Sequence, residues 1–448
     1  MAYSSFNGVI LPSSAKKILS ALKEKGFAAY IVGGAVRDSL IGKPVFDYDI
    51  TTSARPEEIV GIFSDDKIIP TGLKHGTVTV VKEGKAYEIT TFRKEKGYSD
   101  LRRPDAVEFV SSVEDDLRRR DFTVNALAYN EEEGIIDLYG GLSDLKNKII
   151  RTVGDPDERF SEDALRILRA LRFSSQLGFS IEKETAERLI AARGELRFIS
   201  AERIFSEIEK LLSGDFSEEV LISFAPVVFT IIPELEKCYK FDQKSSWHRY
   251  DVYTHIVKAT SAVDNKPSLK FAALLHDVAK PEKFFMKNGE GHFYGHAERS
   301  AEIANDVLKR LKAPNRLINE VFTLIKYHDM PVSDDDFTIK KRLRKFGEEI
   351  FFDLISLKLA DGAAQGTRKA NGEREKTLNV KKRAEEIVER GDCYSLSTLK
   401  IDGDDLVAMG YEGKTVGKML ENILDDVICG NIINDREVLL KSAEKRLI

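Results

Sequence analysis

Cysteine is scarce in this chain of 448 residues, which has three, at Cys238, Cys393 and Cys429, and no C-x-x-C pair. This spacing argues against a disulfide framework and against a thiolate zinc site. A reducing compartment fits it, so we expect the protein to be cytoplasmic. The N-terminal residues lack the charged start and apolar core of a signal peptide, and no apolar stretch approaches a membrane span in length. We therefore expect no membrane partner.

An excess of positive charge is also missing, because the formal net charge is −5. Proteins that coat RNA without selectivity neutralise its phosphates with lysine and arginine, so this charge balance argues against such a protein. Basic clusters do occur, at Arg118 to Arg120 and in KKRLRKF from Lys340, and each alone is typical of a solvated face. Any RNA site must therefore be local.

Low-complexity tracts and internal repeats are absent, and the composition is that of a globular protein with several domains. Up to about residue 150 the pattern mixes helices with strands. A helix is predicted near Ser14 to Lys25, and GTVTVVK and AYEITTF, joined by EGK, predict a β-hairpin. From about Ser161 onward a 3.6-residue periodicity replaces the strand signal. We predict an α/β N-terminal head followed by an all-α remainder.

Two acidic residues follow a glycine turn in the head. VGGAVRD, which contains Arg37, precedes the D-x-D formed by Asp47 and Asp49. Side chains two apart on a strand point to one face, so these carboxylates can converge on a cation, and oxygen ligands favour Mg²⁺. A lone D-x-D is usually surface charge. The preceding turn, whose amides and arginine can hold a triphosphate, makes it more specific.

Further basic residues follow in RRRDFTVNALAYN, with Arg120, and in RFSEDALRILRALRF. The second segment places Asp163, Arg166, Arg169 and Arg172 at intervals of three, so successive members are neighbours on a predicted helix. Taken alone, the first pair reads as a surface ion pair between Asp163 and Arg166.

Together these motifs, with IIDLYGG at 135 to 141, resemble class II tRNA nucleotidyltransferases, the family of CCA-adding enzymes and poly(A) polymerases. The resemblance implies a head with the polymerase-β-like fold and template-independent addition of CCA to tRNA from CTP and ATP. It also implies that Asp47 and Asp49 are catalytic and bind Mg²⁺. The residues that it places around the nucleotide are Gly34, Arg37, Arg120, Asp163, Arg166, Arg169 and Arg172.

Cytosine and adenine share a feature that a carboxylate and a guanidinium can read. Each presents an amino donor beside an unprotonated ring nitrogen, which matches Asp163 and Arg166. Uracil and guanine reverse that pattern and leave buried groups unpaired, which can support discrimination of roughly 10⁴ or more. We therefore interpret this pair as the base reader.

The segment KEKGYSDLRRPDAVEFV resembles the flexible loop of enzymes that add the full CCA sequence. Arg102, Arg103 and Asp105 are the residues that we associate with the switch from CTP to ATP. The alternatives are an ordinary surface loop and, for the whole chain, a poly(A) polymerase or an enzyme that adds only CC or only A.

Six of the seven histidines lie between residues 248 and 328. YDVYTHIVKA, LLHDVAKP, GHAERSAEIA, IKYHD and LKLADGA resemble, in this order, the HD phosphohydrolase family. The resemblance implies a metal site formed by His255, His276, Asp277 and Asp361. His296 and His328 are expected to add a second metal or to contact phosphate, and we interpret His75, His248 and His292 as structural.

Mixed nitrogen and oxygen ligands are compatible with Mn²⁺, Ni²⁺, Fe²⁺ or Co²⁺. The HD resemblance implies phosphodiesterase or phosphatase activity, for example on 2′,3′-cyclic or 3′-phosphate RNA ends. An alternative of another class makes this site the main activity, with a head that only recruits RNA. The predicted domains are a nucleotidyltransferase head at 1–150, a helical neck at 151–240, an HD domain at 248–365 and a helical tRNA-binding tail at 366–448.

Overall fold

The computed structural model describes residues 8–69, 72, 76–96 and 106–447. The chain divides into two compact units, Met1–Ile231 and Ile232–Ile448. The first unit holds the predicted head and most of the predicted neck, and the second holds the HD region and the tail. Within the described residues, no helix is both long enough and apolar enough to cross a membrane.

A mixed sheet organises the first unit. In the part of the chain that the structure describes it has seven strands, in the order β3-β4-β5-β2-β1-β8-β9, with β2 and β5 parallel and the other pairs antiparallel. The strands of this unit are β1 (Ala29–Val32), β2 (Asp49–Thr52), β3 (Lys67–Ile69), β4 (Thr77–Lys82), β5 (Lys85–Thr91), β6 (Arg93–Lys96), β7 (Ala106–Phe109), β8 (Leu127–Asn130), β9 (Gly134–Asp137), β10 (Ile149–Ile150) and β11 (Ser180–Ile181).

The predicted hairpin is confirmed as β4 and β5. Glu83 and Gly84 form its turn with positive φ angles of 53° and 76°, the left-handed geometry that matches the twist of paired strands. The central strands are buried because they carry apolar residues on both faces; β1, for example, is AYIV.

Helices form most of the rest of the first unit. They are α1 (Ser13–Glu24), α2 (Gly34–Leu40), α3 (Pro56–Ile62), α4 (Val113–Arg118), α5 (Gly141–Asn147), α6 (Pro156–Glu162), α7 (Leu165–Leu177), α8 (Lys183–Ala192), α9 (Ala201–Leu212), α10 (Ser217–Ser223) and α11 (Ala225–Ile231). Helices α7 and α9 pack together, and their apolar stripes are buried. The predicted helix near Ser14 to Lys25 is confirmed as α1.

The second unit is mostly helical. Its helices are α12 (Val252–Ala262), α13 (Pro267–Leu275), α14 (Lys280–Lys283), α15 (His296–Arg310), α16 (Asn315–Tyr327), α17 (Asp336–Gln365), α18 (Arg368–Glu389), α19 (Gly403–Ala408), α20 (Lys414–Ile428) and α21 (Arg436–Glu444). A kink at Gly347, where φ is 74°, divides α17. The order of the elements therefore agrees with the prediction of an α/β head followed by a mostly helical remainder.

Short strands that periodicity did not predict interrupt the helical region. β10 pairs with β11 in the first unit. In the second unit β12 (Phe285–Lys287) and β13 (Glu290–His292) form a hairpin. Its turn, Asn288 and Gly289, has φ angles of 53° and 83°. Asn-Gly is the dipeptide most typical of such turns, so the signal for this hairpin was present in the sequence.

Candidate functional site

The glycine turn and the D-x-D meet at the end of β1. Val32, the last residue of β1, pairs with Asp49, the first residue of β2. Gly33 follows with φ 70° and ψ −132°, a conformation that essentially only glycine adopts, and α2 starts at Gly34. This turn sets the start of α2 beside Asp49. Asp47 lies two residues before Asp49 and is exposed.

The electrostatics around Asp49 favour a bound cation. Its carboxyl group is accessible, and the surrounding protein raises its pKa through desolvation; Arg120 opposes this shift and the negative charge of Asp47 adds to it. A divalent cation next to Asp49 would offset the desolvation of its carboxylate. The predicted Mg²⁺ ligands therefore fit such an ion.

Three predicted nucleotide-binding arginines converge on one aromatic ring. The guanidinium carbons of Arg37, Arg169 and Arg172 lie 5.0, 5.5 and 4.1 Å from the centroid of Phe173. Cations over a ring face are attracted by its quadrupole, which helps to hold like charges together. Arg172 also pairs with the buried Glu207 at 3.0 Å. The cluster places positive charge next to the glycine turn, where a triphosphate would need it.

A buried polar chain links this cluster to RRRDFTVNA. Arg37 donates to Asn125 at 2.6 Å, Asn125 donates to Asp121 at 3.0 Å, and Arg169 donates to Asp121 at 2.8 Å. Burial raises the pKa of Asp121, but Arg169 and these hydrogen bonds outweigh it and lower the pKa to about 2. Asp121 is therefore ionised at neutral pH and fixes the orientation of both arginines.

The predicted base-reading pair is arranged differently from the expectation. Asp163 does not lie on the helix of Arg166 but in the extended break between α6 and α7, where it accepts from the backbone N–H of Leu165. It forms an ion pair with Arg203 at 2.7 Å, while Arg166 pairs with Glu162. The expected helical spacing was wrong at Asp163 because its side chain starts the next helix instead of continuing one.

Arg166 is nearly enclosed, with 9% of its side chain exposed. Besides Glu162, it donates to the carbonyl oxygens of Arg159 and Arg119, each at 3.0 Å. These bonds tie α7 to the segment that carries Arg120.

The predicted loop residues Arg102, Arg103 and Asp105, like His75, lie outside the described residues.

The second unit brings the predicted HD ligands together. Ligand atoms of His255, His276, Asp277 and Asp361 lie within 4.8 Å of one another, as do those of Asp277, His296 and His328. Nε2 of His255 is 3.2 Å from Asp277 and 2.9 Å from Asp361. Asp277 belongs to both groups, one through each carboxylate oxygen.

Backbone carbonyls orient three of the four imidazoles. Nδ1 of His276, His296 and His328 lies 2.8, 2.9 and 2.7 Å from the carbonyl oxygen three residues earlier. A hydrogen bond of this kind orients the ring and directs Nε2 toward the cluster, as in most metal-binding histidines. The Nε2 atoms meet in pairs, His255 with His276 and His296 with His328, each at 3.3 Å.

The buried carboxylates of this cluster call for a cation. Neither oxygen of Asp277 has a hydrogen-bond partner of good geometry, although Nζ of Lys280 lies 2.7 Å from Oδ2. Against the effect of burial, Asp277 and Asp361 raise the pKa of His276 to about 10, while burial and the neighbouring histidines lower that of His328 to about 3. Asp277 is a buried carboxylate whose two oxygens face the Nε2 atoms of four histidines, and this mixed nitrogen and oxygen set fits a divalent metal.

A cavity of about 490 Å³ opens beside this cluster. His248 and His292, which we interpreted as structural, both line it. His248 packs edge-on against His255 with ring centroids 5.1 Å apart. The sequence did not predict this position for either histidine, because neither belongs to one of the motifs that resemble the HD family.

Family comparisons agree with the geometry of the head. A family model described as the poly A polymerase head domain matches residues 29–151. Models for an RNA- and SrmB-binding site of polymerase A and for tRNA nucleotidyltransferase domain 2 match residues 178–223 and 293–443. The chain is 37% identical over 450 residues to the CCA-adding enzyme of Ligilactobacillus salivarius (strain UCC118), with 98% of each covered. The chain belongs to the family of CCA-adding enzymes.

A second relative and a solved structure of the same family are also similar to this chain over nearly its whole length. The CCA-adding enzyme of Leuconostoc mesenteroides is 34% identical over 434 residues, 96% of each chain. A crystal structure of the Bacillus stearothermophilus CCA-adding enzyme in complex with CTP superposes with a TM-score of 0.71 at 30% identity, covering 98% of each chain. The expected family and the head fold are confirmed.

Three residues that contact the predicted head site were not predicted from the sequence. Asp116 is buried, accepts from Thr51 and pairs with Arg119 and Arg120. Arg203 and Glu207 on α9 hold Asp163 and Arg172. The position of Asp116, just before a run of arginines, could have indicated an ion pair. The pairs Asp163–Arg203 and Arg172–Glu207 span 40 and 35 positions, and no local sequence pattern indicates them.

Gly33 should be intolerant of alanine. Alanine at φ 70° and ψ −132° is strained, and its Cβ would lie 3.0 Å from Nη1 of Arg120. We expect Gly33→Ala to lose about 1–3 kcal/mol of stability, a fall in Tm of roughly 2–4 °C for each kcal/mol.

Gly34→Ala is the matched control, because Gly34 is helical and its Cβ would make an ordinary 3.6 Å contact with Arg37. Differential scanning calorimetry of both variants measures the difference. Equal melting temperatures would show that the turn tolerates a side chain.

Proposed function

We propose that the chain adds CCA to the 3′ end of tRNA without a template, using CTP and ATP. The observation that carries the proposal is the convergence of Asp47, Asp49 and the arginines around Phe173 on one glycine turn, in a chain of this family. Family membership favours this activity over poly(A) synthesis. Partial addition of CC or A alone is an outcome that the assay below distinguishes.

In the proposed reaction the 3′-hydroxyl oxygen of the RNA forms a bond to the α-phosphorus of the nucleotide. The bond from that phosphorus to the bridging oxygen breaks, pyrophosphate leaves, and the hydroxyl proton is released. Arg37 and Arg169, held by Asp121, orient and neutralise the triphosphate. Asp47 and Asp49 would hold Mg²⁺, which supplies charge stabilisation to the attacking and leaving oxygens when it is bound.

Base selection is proposed for Asp163 and Arg166. Their present partners, Arg203 for Asp163 and Glu162 for Arg166, hold both side chains in fixed positions on either side of the start of α7. A base that offers an amino donor and a bare ring nitrogen can replace these partners, and one with the reverse pattern cannot. Arg102, Arg103 and Asp105 stay our predicted switch from CTP to ATP.

A tRNA that lacks its terminal CCA, incubated with labelled CTP and ATP, tests the activity. We expect two C and one A to be added and growth to stop there, which a sequencing gel resolves. With CTP alone the product should end at CC, and UTP or GTP should give no extension. A long A tail, or arrest at CC with both nucleotides present, would overturn the proposal of full CCA addition.

The HD cluster is proposed to be a metal-dependent phosphohydrolase that acts on phosphorylated RNA ends. A water oxygen forms a bond to phosphorus, the bond to the ribose oxygen breaks, and that oxygen takes up a proton. His255, His276, Asp277 and Asp361 would hold one Mn²⁺, Ni²⁺, Fe²⁺ or Co²⁺ ion, which supplies Lewis acidity and a water of lowered pKa. The second triad, Asp277, His296 and His328, would hold another.

Such an activity would complement the head, because hydrolysis of a 2′,3′-cyclic or 3′-phosphate end yields the free 3′-hydroxyl that nucleotidyl transfer needs. The alternative in which the head only recruits RNA has less support. Asp47, Asp49 and the arginine cluster form a complete set of groups for nucleotidyl transfer, which recruitment alone would not require.

A further inference from the structure

Aromatic side chains occupy the mouth of the cavity beside the HD cluster. The same cavity of about 490 Å³ is lined by Asp277 and His328 of the cluster and by Trp247, His292 and Tyr294. Trp247 and Tyr294 keep 39% and 66% of their surface exposed. A large exposed ring next to a polar catalytic cluster is unusual for a fold-stabilising residue, because burial is what makes such a ring stabilising.

The β12–β13 hairpin carries a cluster of three rings, in which the centroids of Phe285 and Tyr294 lie 5.3 Å apart. Phe285 and His292 are register partners whose rings stack at 5.6 Å with an interplanar angle of 27°. His292 stacks on Tyr294 at 5.4 Å and 28°. A two-stranded hairpin has little core of its own, and this cluster supplies one. It holds Tyr294 from one side, while 66% of that residue stays exposed at the cavity.

Cationic groups accompany the rings. Lys358 and Arg374 line the cavity, and Nζ of Lys369 lies 5.6 Å from the centre of the Trp247 ring. Asp329 and Glu373 line the cavity as well, so its wall carries charges of both signs. Aromatic faces combined with basic side chains are the recurring means of binding unpaired nucleotides, since bases stack and phosphates pair with the cations.

We propose that Tyr294, positioned by His292 and sharing the cavity wall with Trp247, binds the base of the nucleotide whose phosphate lies at the HD cluster. The substrate of this site is then a nucleoside phosphate with an unpaired base, at a single-stranded RNA end, and not a small phosphate ester. This inference rests on the proposed phosphohydrolase for its chemistry. Tyr294 and Trp247 are specificity-determining residues in it.

The chain contains one tryptophan, so Trp247 reports on its own site. Adenosine 3′-monophosphate mixed with the protein in a stopped-flow instrument should quench tryptophan fluorescence saturably before turnover, and ribose 5-phosphate should not. Tyr294→Ala should weaken the nucleotide affinity roughly 5- to 150-fold, the range for loss of one base–aromatic stack. Tyr294→Phe keeps the ring and should bind within about threefold of wild type.

Phe337→Ala is the matched control, because Phe337 is an exposed ring of the same unit, 39% accessible, and lies outside the cavity lining. It should leave the fluorescence titration unchanged. If Tyr294→Ala also leaves it unchanged, or if ribose 5-phosphate quenches as adenosine 3′-monophosphate does, the base site is refuted.

Turnover by manganese-loaded protein separates this inference from the proposed function. We expect Tyr294→Ala to raise KM for adenosine 3′-monophosphate with little change in kcat, and to leave hydrolysis of ribose 5-phosphate unaffected. An RNA with a single-stranded 3′-phosphate should be a better substrate than the same end within a duplex. Nucleotide binding without hydrolysis of any ester would remove the phosphohydrolase but keep the base site, whereas equal hydrolysis of all esters would remove the base site alone.

Discussion

Asp47→Asn is expected to abolish incorporation of CMP and AMP into tRNA while leaving the protein folded. The substitution removes one of the two carboxylates that we propose to hold Mg²⁺, which lie at the end of β1 and the start of β2. Metal stabilisation of phosphoryl transfer is worth several kcal/mol, and about 1.4 kcal/mol corresponds to a factor of ten. We therefore expect kcat to fall by roughly 10³-fold or more.

Asp65→Asn is a matched control, since Asp65 is exposed, lies in the same unit and undergoes the same change of charge. It should retain wild-type incorporation. Because Asp47 is also exposed, both variants should unfold within about 0.5 kcal/mol of wild type. Single-turnover incorporation at saturating CTP measures the chemical step, and an Asp47→Asn rate above one tenth of wild type would contradict a catalytic role for this carboxylate.

Local patterns predicted the parts of the head that depend on local geometry. The hairpin of β4 and β5 followed from two β-branched runs around a turn, and the D-x-D was assigned to the glycine turn because the two motifs are close in the sequence. The long-range pairs did not follow. Arg172 finds Glu207 and Asp163 finds Arg203 only after α7 packs on α9, and sequence spacing carries no record of that packing.

The HD site shows the same division. Its ligands were predicted from motifs, and the structure brings all six of them into two groups that share Asp277. The cavity wall was not predicted, because His248 and His292 reach it through loops and a hairpin. Asn288 and Gly289 signalled that hairpin, but three-residue strands are too short for an alternating pattern to emerge beside long helices.

The shared position of Asp277 leads to the second large expected effect. One of its oxygens faces His255 and His276, and the other faces His296 and His328. If the proposed phosphohydrolase is correct, Asp277→Asn should bind no metal at either group and should release phosphate from adenosine 3′-monophosphate at least about 10³-fold more slowly.

Substitution of a single histidine should have a narrower effect. His328→Ala should lose only the metal of the group that contains His328. The other group should keep its metal, because all four of its ligands, His255, His276, Asp277 and Asp361, are still present. Metal content measured by mass spectrometry on purified protein would then rank wild type above His328→Ala and His328→Ala above Asp277→Asn.

Asp306→Asn provides the control for this series, because Asp306 is exposed on α15, the helix that begins at His296. It should keep the metal content and the phosphatase rate of wild type. All of these variants should add CMP to tRNA at the wild-type rate, since the head groups belong to the other unit of the chain. Unchanged metal content in Asp277→Asn would mean that the buried carboxylate is neutralised by Lys280 and the histidines alone, and the cluster would then be a structural ion network without a metal.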